Sequence, residues 1–367
     1  MEKKIKVAHV IRVFSYGGAE VLMRECLSHP YFKDRVISDL YILDHKKLGL
    51  VEEVRPTVNS IHYYKITSAK FVIEYIKFLR HIIKGRYDVV HTHLPVAAWM
   101  TIPAKLFTRN TKYIYSEHNL VTFYSKYNYY LSGLTYGFFD CLVYVSHEVG
   151  EVVKKVQKGW FFKAKKTVTI LNGINTEKFS NAHPTCENTN EFTIGLVARF
   201  RPQKRVDRWV EVAAELYKLN PGVKFLMVGD GPEDVMLREK IKALNMEGKI
   251  ELPGMLPDTV GAFKRIDIFL LTSDFEGLPL AIMEAMSAGC VPVVSNVGGI
   301  KQLPFEGFGY KFDEFNAASI AQVIAEYAAN PEKFKAESLN AASFVEQNYS
   351  LTKQVHEIVK LYGEVTG

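Results

Sequence analysis

Residues 273–300 read SDFEGLPLAIMEAMSAGCVPVVSNVGGI, and few folds accommodate such a string. The apolar run IDIFLLT at 266–272 precedes it and has the pattern of a strand buried on both faces. An acidic turn containing Gly277 comes next. Pro279 suits the first position of a helix, where its missing N–H costs nothing. Residues 280–288 favour helix, and Gly289 suits its end. Residues 291–294 predict the next strand, and Gly298 and Gly299 the next loop. Two buried strands joined through a helix require a sheet covered on both faces.

A strand, a glycine turn and a helix N-terminus together make an anion cradle, because free N–H groups and the positive end of the macrodipole favour phosphate. Two glutamates flank it. Glu276 lies in the turn, and Glu284 lies within the helix, several ångströms deeper at about 1.5 Å per residue. Carboxylates accept well from paired sugar hydroxyls. One could hold a ribose and the other a second sugar, with a diphosphate on the amides between them. The plain alternative is a surface turn followed by a helix with one exposed Glu.

The whole string resembles the donor-binding motif of retaining glycosyltransferases of the GT-B fold, the family 4 (glycosyl transferases group 1) type. The likeness rests on Glu276-Gly277-Leu278, on Glu284-Ala285-Met286 after a gap of seven residues, and on Gly289, Pro292 and Gly298-Gly299. It implies an α/β chain of two Rossmann-like, doubly wound domains facing across a cleft. It also implies a nucleotide-sugar donor and no required metal or cofactor.

Length agrees with two domains: 367 residues exceed one ordinary core. No segment offers the roughly 18 consecutive apolar residues of a membrane span. Glu2, Lys3 and Lys4 interrupt any export signal, so a cytoplasmic protein is expected, with peripheral attachment to the inner face of the membrane as an option. Cys26, Cys141, Cys186 and Cys290 show neither paired nor zinc-finger spacing, so reduced, packed thiols and no metal are expected. The net charge of +6 conceals an asymmetry. Residues 1–180 hold 27 Lys and Arg against 15 Asp and Glu, and the remainder holds 19 against 25. The first half is therefore expected to face something anionic.

Strand and helix patterns alternate along the chain. Strands are expected at 4–14, 36–43, 60–64, 87–93, 112–117, 141–146 and 167–171, with an amphipathic helix at 71–84. A polar, aperiodic stretch at 176–191 reads as a linker between a first domain, 1–175, and a second, 192–345. A last helix within 346–367 is expected to pack back on the first domain.

Other turns follow strands in the same way. Gly17 and Gly18 permit close backbone approach to a ligand. With Ala19 and Glu20 they complete a Gly-Gly-Ala-Glu signature that the resemblance places at the donor diphosphate or the acceptor. Arg199 and Lys204 resemble the family's Gly-Arg-x4-Lys pattern, with Ala198 in place of its Gly. A guanidinium and an ammonium there would neutralise a leaving diphosphate. Arg201 and Arg205 read as ordinary solvated residues of a basic loop. Gly229, Met255 and Leu256 fall in turns that border the nucleotide base in the family. His118, in Ser-Glu-His-Asn, matches a family histidine near the transferred sugar. His91 and His93 are family-like but are assigned no catalytic part. The resemblance thus gives Glu276 and His118 catalytic roles and puts Gly17, Gly18, Arg199, Lys204, Gly277 and Leu278 on the diphosphate. It puts Glu284 on the ribose. Asn175 stands where the family usually has Asp, and the acid often found after the family's Gly-Gly loop is absent from Gly299-Ile300-Lys301-Gln302.

Residues 152–166 carry Lys154, Lys155, Lys158, Lys163, Lys165 and Lys166 with Trp160, Phe161 and Phe162 interleaved and no acid. Basic plus aromatic fits an anionic membrane surface, and nucleic acid is the alternative. The resemblance favours the membrane, with a lipid-linked saccharide acceptor and no nucleic acid. The expected activity is transfer of a sugar from a UDP-sugar to a hydroxyl in bacterial surface polysaccharide assembly. The rival readings are a sugar-nucleotide epimerase of similar fold and a non-catalytic nucleotide-sugar or nucleic-acid binding protein.

Overall fold

The computed structural model describes residues 3–15, 17–44, 48–66, 70–118, 121, 126–157, 164–180, 192–256, 258–277 and 280–367. The chain divides into two units. One is Met1–Gly173 with Leu351–Gly367, and the other is Ile174–Ser350.

The first unit is built on a parallel sheet of seven strands: β1 (Ile5–Ile11), β2 (Val36–Ile42), β3 (Ser60–Tyr63), β4 (Val89–His93), β5 (Lys112–Glu117), β6 (Cys141–Tyr144) and β7 (Thr167–Thr169). Their order is β3-β2-β1-β4-β5-β6-β7. Successive side chains leave opposite faces of a strand, so each strand feeds two cores. Val7, Leu40, Val89 and Ile114 join one core, with Leu22 and Leu27 of the helix Gly18–Ser28 and Val355 and Val359 of the helix Leu351–Thr366. Ala8, Tyr41, Val90 and Tyr113 join the other, with Phe78 and Ile82 of the helix Phe71–Lys84 and Ala97 and Ala98 of the helix Pro95–Lys105.

The second unit repeats the plan with β8 (Thr193–Val197), β9 (Lys224–Val228), β10 (Ile250–Gly254), β11 (Ile268–Leu271), β12 (Val291–Ser295) and β13 (Tyr310–Phe312). The order is β10-β9-β8-β11-β12-β13. Its central strands β8, β9, β11 and β12 are apolar and buried on both faces because helices cover both, and Trp209 of the helix Val206–Leu219 is wholly buried among them. In each sheet the order of strands reverses once, between β1 and β4 and between β8 and β11. Loops leaving the carboxyl ends of such strand pairs diverge and open a crevice, the usual ligand position in open α/β sheets.

The boundaries differ from the sequence expectation in two places, while the last helix joins the first unit as expected. Thr176–Ser180 is a helix of the second unit, not linker, because Phe179 is buried in that unit's core. The rest of the expected linker, 181–191, lies outside the described residues. The helix Pro331–Tyr349 runs past 345 because Val345 and Tyr349 pack on the same core, so the second unit closes at Ser350. The helix Leu351–Thr366 belongs to the first unit, where Gln354 Oε1 accepts from the Gly173 N–H at 2.9 Å.

Candidate active site

The loops after β8 and β11 meet at the reversal point of the second unit. The short turn Pro202–Lys204 follows β8, and Lys204 Nζ donates to Glu276 Oε1 at 2.5 Å. Ser273 Oγ donates to the same oxygen at 2.6 Å. Both ionic side chains are largely buried, with 14% of Lys204 and 6% of Glu276 exposed. The backbone fixes the encounter. The Asp274 N–H donates to Gln203 O at 2.9 Å, Thr272 Oγ1 to Arg205 O at 2.9 Å, and Ser295 Oγ to Ser273 O at 2.7 Å. Arg205 is not simply solvated as expected. It pairs with Asp207 and with Asp274, so it clamps one loop to the other. Arg199 stands exposed just past β8.

The glycines split by role. Gly298 has φ +51°, and a Cβ there would lie 1.7 Å from Glu276 O; the neighbouring Gly299 N–H donates to that oxygen at 3.0 Å. Gly298 is therefore dictated by the fold. At Gly277 a Cβ would meet nothing within 4 Å, so packing within the protein does not demand glycine there. Leu278 and Pro279 lie outside the described residues. In the helix Leu280–Ser287, Ile282, Met283, Ala285 and Met286 fill the core, which leaves Glu284 half-buried on the face it shares with Leu280 and Ala281.

Gly229 directly follows β9 with φ +145°, and a Cβ there would lie 1.8 Å from Ala198 O. Its N–H donates to Gly254 O at 2.9 Å, which ties the β9 turn to the β10 turn. Met255 follows and is 57% exposed, whereas Leu256 packs partly into the core. The structure thus brings Lys204 and Glu276 together, and sets Gly229, Met255 and Leu256 on turns of the strands to one side of β8.

The first unit carries a second group of polar side chains at its own reversal point. His118 follows β5, and its Nε2 lies 3.2 Å from His93 Nδ1. Burial pushes its pKa down to about 4. His91, two residues before His93 on β4, bonds Tyr362 OH through Nδ1 at 2.6 Å and Ser116 Oγ through Nε2 at 2.7 Å. His9, a residue that sequence reasoning did not single out, pairs in register with His91 across β1 and β4. Tyr362 was likewise missed as a partner. Gly17 caps the helix Gly18–Ser28, and a Cβ there would lie 2.3 Å from the Glu20 carboxylate. Burial of Glu20 raises its pKa, only partly countered by its own N–H.

In the basic segment, Lys154 and Lys155 lie at the end of the helix His147–Gln157. Lys165 pairs with Asp140 at 3.3 Å and Lys166 with Glu364 at 2.6 Å. Lys158, Trp160, Phe161 and Lys163 lie outside the described residues.

Two parallel, doubly wound units, the second with a cation–carboxylate pair at its strand-order reversal, make up the α/β fold. The family follows from comparison. The model of Glycosyltransferase Family 4 matches residues 36–178, and that of Glycosyl transferases group 1 matches residues 177–343. The chain belongs to the group 1, family 4 type of glycosyltransferases. It is 29% identical over 211 residues to UDP-Gal:alpha-D-GlcNAc-diphosphoundecaprenol alpha-1,3-galactosyltransferase of Escherichia coli, a match covering 54% of each chain. It is 30% identical over 211 residues to GDP-mannose:cellobiosyl-diphosphopolyprenol alpha-mannosyltransferase of Komagataeibacter xylinus, covering 56% of this chain and 52% of the relative. The matched stretch is thus about half the length of each of these relatives. Among solved structures, Anabaena HepE in complex with UDP superposes with a TM-score of 0.81 at 18% identity, covering 98% of this chain and all of that one. The fold is the two-domain α/β fold of these glycosyltransferases.

Proposed function

We propose that this protein moves a sugar from a nucleoside-diphosphate sugar, UDP-linked by preference, to a hydroxyl of a lipid-linked saccharide, with retention at the anomeric carbon. The observation that carries the reading is the Lys204–Glu276 pair with Ser273, held at the strand-order reversal of the second unit. A donor diphosphate is a stronger partner for Lys204 than one carboxylate. Binding would draw the ammonium, with Arg199 and the N–H groups of Gly277 and Leu278, onto the phosphates. Glu276 would then be released to the transferred sugar while Ser273 keeps it oriented. Glu284 takes the ribose hydroxyls, and the turns with Gly229, Met255 and Leu256 border the base. In the first unit, His118 is assigned to the transferred sugar and Gly17 and Gly18 to the diphosphate. In the reaction the bond from C1 to the phosphate oxygen breaks, its electron pair leaves with the diphosphate, and the acceptor oxygen bonds to C1 as its proton passes to a leaving phosphate oxygen on the same face. Lys204 and Arg199 meet the growing phosphate charge, so no divalent metal is needed at the donor.

The names of relatives support the class of substrate. The Escherichia coli and Komagataeibacter xylinus enzymes carry a diphosphate-linked undecaprenol or polyprenol acceptor in their names, with UDP-galactose or GDP-mannose as donor. A membrane-borne acceptor also suits the exposed apolar residues Val72, Ile73, Leu106 and Phe107 in the first unit, the more basic half of the chain. Among the described residues no helix is long and apolar enough to cross a membrane. Attachment to the inner face of a bacterial membrane in polysaccharide assembly is the setting this reading implies.

Thermal stability against UDP, GDP, ADP and their sugars, with and without magnesium, tests the proposal. The expected result is stabilisation by one diphosphate, independent of metal and weakened in Glu284→Ala. Folded protein that no nucleotide stabilises at millimolar concentration overturns it.

A further inference from the structure

His9, His91 and His93 form a group that the sugar-transfer chemistry does not explain. His9 and His91 are register partners on β1 and β4, and His93 lies two residues on, so all three rings share one face of the sheet. Ring centroids are 4.3 Å apart for His91 and His93, and 5.9 and 6.0 Å for His9 with each. One ring nitrogen of each lies within 4.8 Å of the others. The rings are 3%, 3% and 7% exposed. Yet His9 Nδ1 and His93 Nε2 are buried without a hydrogen-bond partner, which is costly for polar atoms. All three histidines line one pocket of the first unit, together with His118, Met23, Cys26 and Tyr362.

We infer that His9, His91 and His93 form a binding site for a late first-row divalent cation, with Zn2+ the representative ion. Three imidazoles with no carboxylate among them suit Zn2+, Ni2+ or Cu2+ and disfavour Mg2+, Ca2+ and Mn2+. A bound zinc needs ring nitrogens about 2.0–2.1 Å away, so the group must contract by roughly an ångström, within reach of side-chain rotation. The surroundings match what histidine ligands require at the other ring nitrogen. His9 Nε2 faces Ser38 Oγ at 3.4 Å, and His93 Nδ1 faces His118 Nε2 at 3.2 Å. His91 keeps one hydroxyl, of Tyr362 or Ser116, whichever nitrogen turns to the ion. Burial holds all three rings neutral, the form that ligates. The fourth position opens on the pocket. With the ion on His93 Nε2, the ring proton sits on Nδ1 and donates to His118 Nε2, which fixes the tautomer of the histidine assigned to the transferred sugar.

Tag-free protein, stripped with chelator, is titrated with Co2+ by visible absorption and with Zn2+ in competition with a chromophoric chelator. One equivalent and a tetrahedral-type Co2+ spectrum are expected. His9→Ala and His93→Ala should each abolish both. The exposed His147→Ala should change nothing. Circular dichroism establishes that each variant is folded. Should an alanine variant not fold, His9→Gln and His93→Gln replace them, and Zn2+-dependent stabilisation of the wild type gives an independent reading. No binding at micromolar ion, or unchanged stoichiometry in folded His9 and His93 variants, overturns the inference.

Discussion

Lys204 Nζ and Glu276 Oε1 lie 2.5 Å apart, although 72 residues separate them in the chain. They meet because β8 and β11 are neighbours and the loops leaving them are stitched together at Asp274 and Thr272. The pair ties the two loops together, and under the proposed function the same ammonium is the charge offered to a donor diphosphate.

Removing one partner of this pair therefore has two separable effects. Lys204→Ala leaves a buried carboxylate with Ser273 and should cost about 3 kcal/mol of stability. Glu276→Gln keeps the Ser273 contact and leaves Lys204 a path to solvent, so it should cost about 1 kcal/mol. Both should lower transfer by about a hundredfold or more. Urea unfolding beside a transfer assay checks this. Glu276→Gln with full activity would remove Glu276 from the chemistry.

Gly277 and Gly298 should respond oppositely to alanine. Gly298→Ala forces a Cβ into Glu276 O at a positive φ and should destabilise by more than about 2 kcal/mol. Gly277→Ala meets no protein atom and should leave stability within about 0.5 kcal/mol. Its expected effect is on nucleoside-diphosphate affinity, read by calorimetry. Equal loss of stability in both variants would contradict the distinction.

Tyr362→Phe removes the hydroxyl bonded to buried His91 Nδ1. A loss of about 1–3 kcal/mol is expected in denaturant unfolding, because a buried ring nitrogen is left without its partner. A change under about 0.3 kcal/mol would mean that the hydroxyl contributes nothing net.

Asp140 gives a dependence on pH. Burial opposes its charge, but Lys105 at 2.8 Å, the Tyr113 N–H at 2.9 Å and Lys165 outweigh it and hold the carboxyl below its ordinary range. Its folded pKa is depressed, so its contribution is complete above the unfolded value of about 3.9 and fades as pH falls through the folded one. Asp140→Asn should thus lose about 1 kcal/mol at pH 7 and approach the wild type below about pH 4. Urea midpoints across that range decide it, and a constant gap would refute the assignment.

The alternation of strands and helices was legible because the central strands are apolar runs closed by a glycine or polar turn. Phe71–Lys84 emerges where periodicity places it. Glu276, Lys204 and Gly298 were legible as post-strand residues, but their meeting was not, because strand order is not written in local pattern. His9 escaped notice for the same reason. A single histidine in an apolar strand gains meaning only from its register with His91. Strand β13 was missed because three residues carry too little periodicity, and only pairing with Val293–Ser295 defines them.

The helix Leu351–Thr366 completes the core of the first unit, yet the ribosome makes it only after the whole second unit. The Ile174–Ser350 segment is continuous and can fold as soon as it emerges. The first sheet must wait for Val355, Val359 and Tyr362 to cover the groove beside Val89 and Ile114. Synthesis thus imposes an order in which the unit encoded first finishes last, and its uncovered apolar face is the part of the nascent chain most in need of a chaperone.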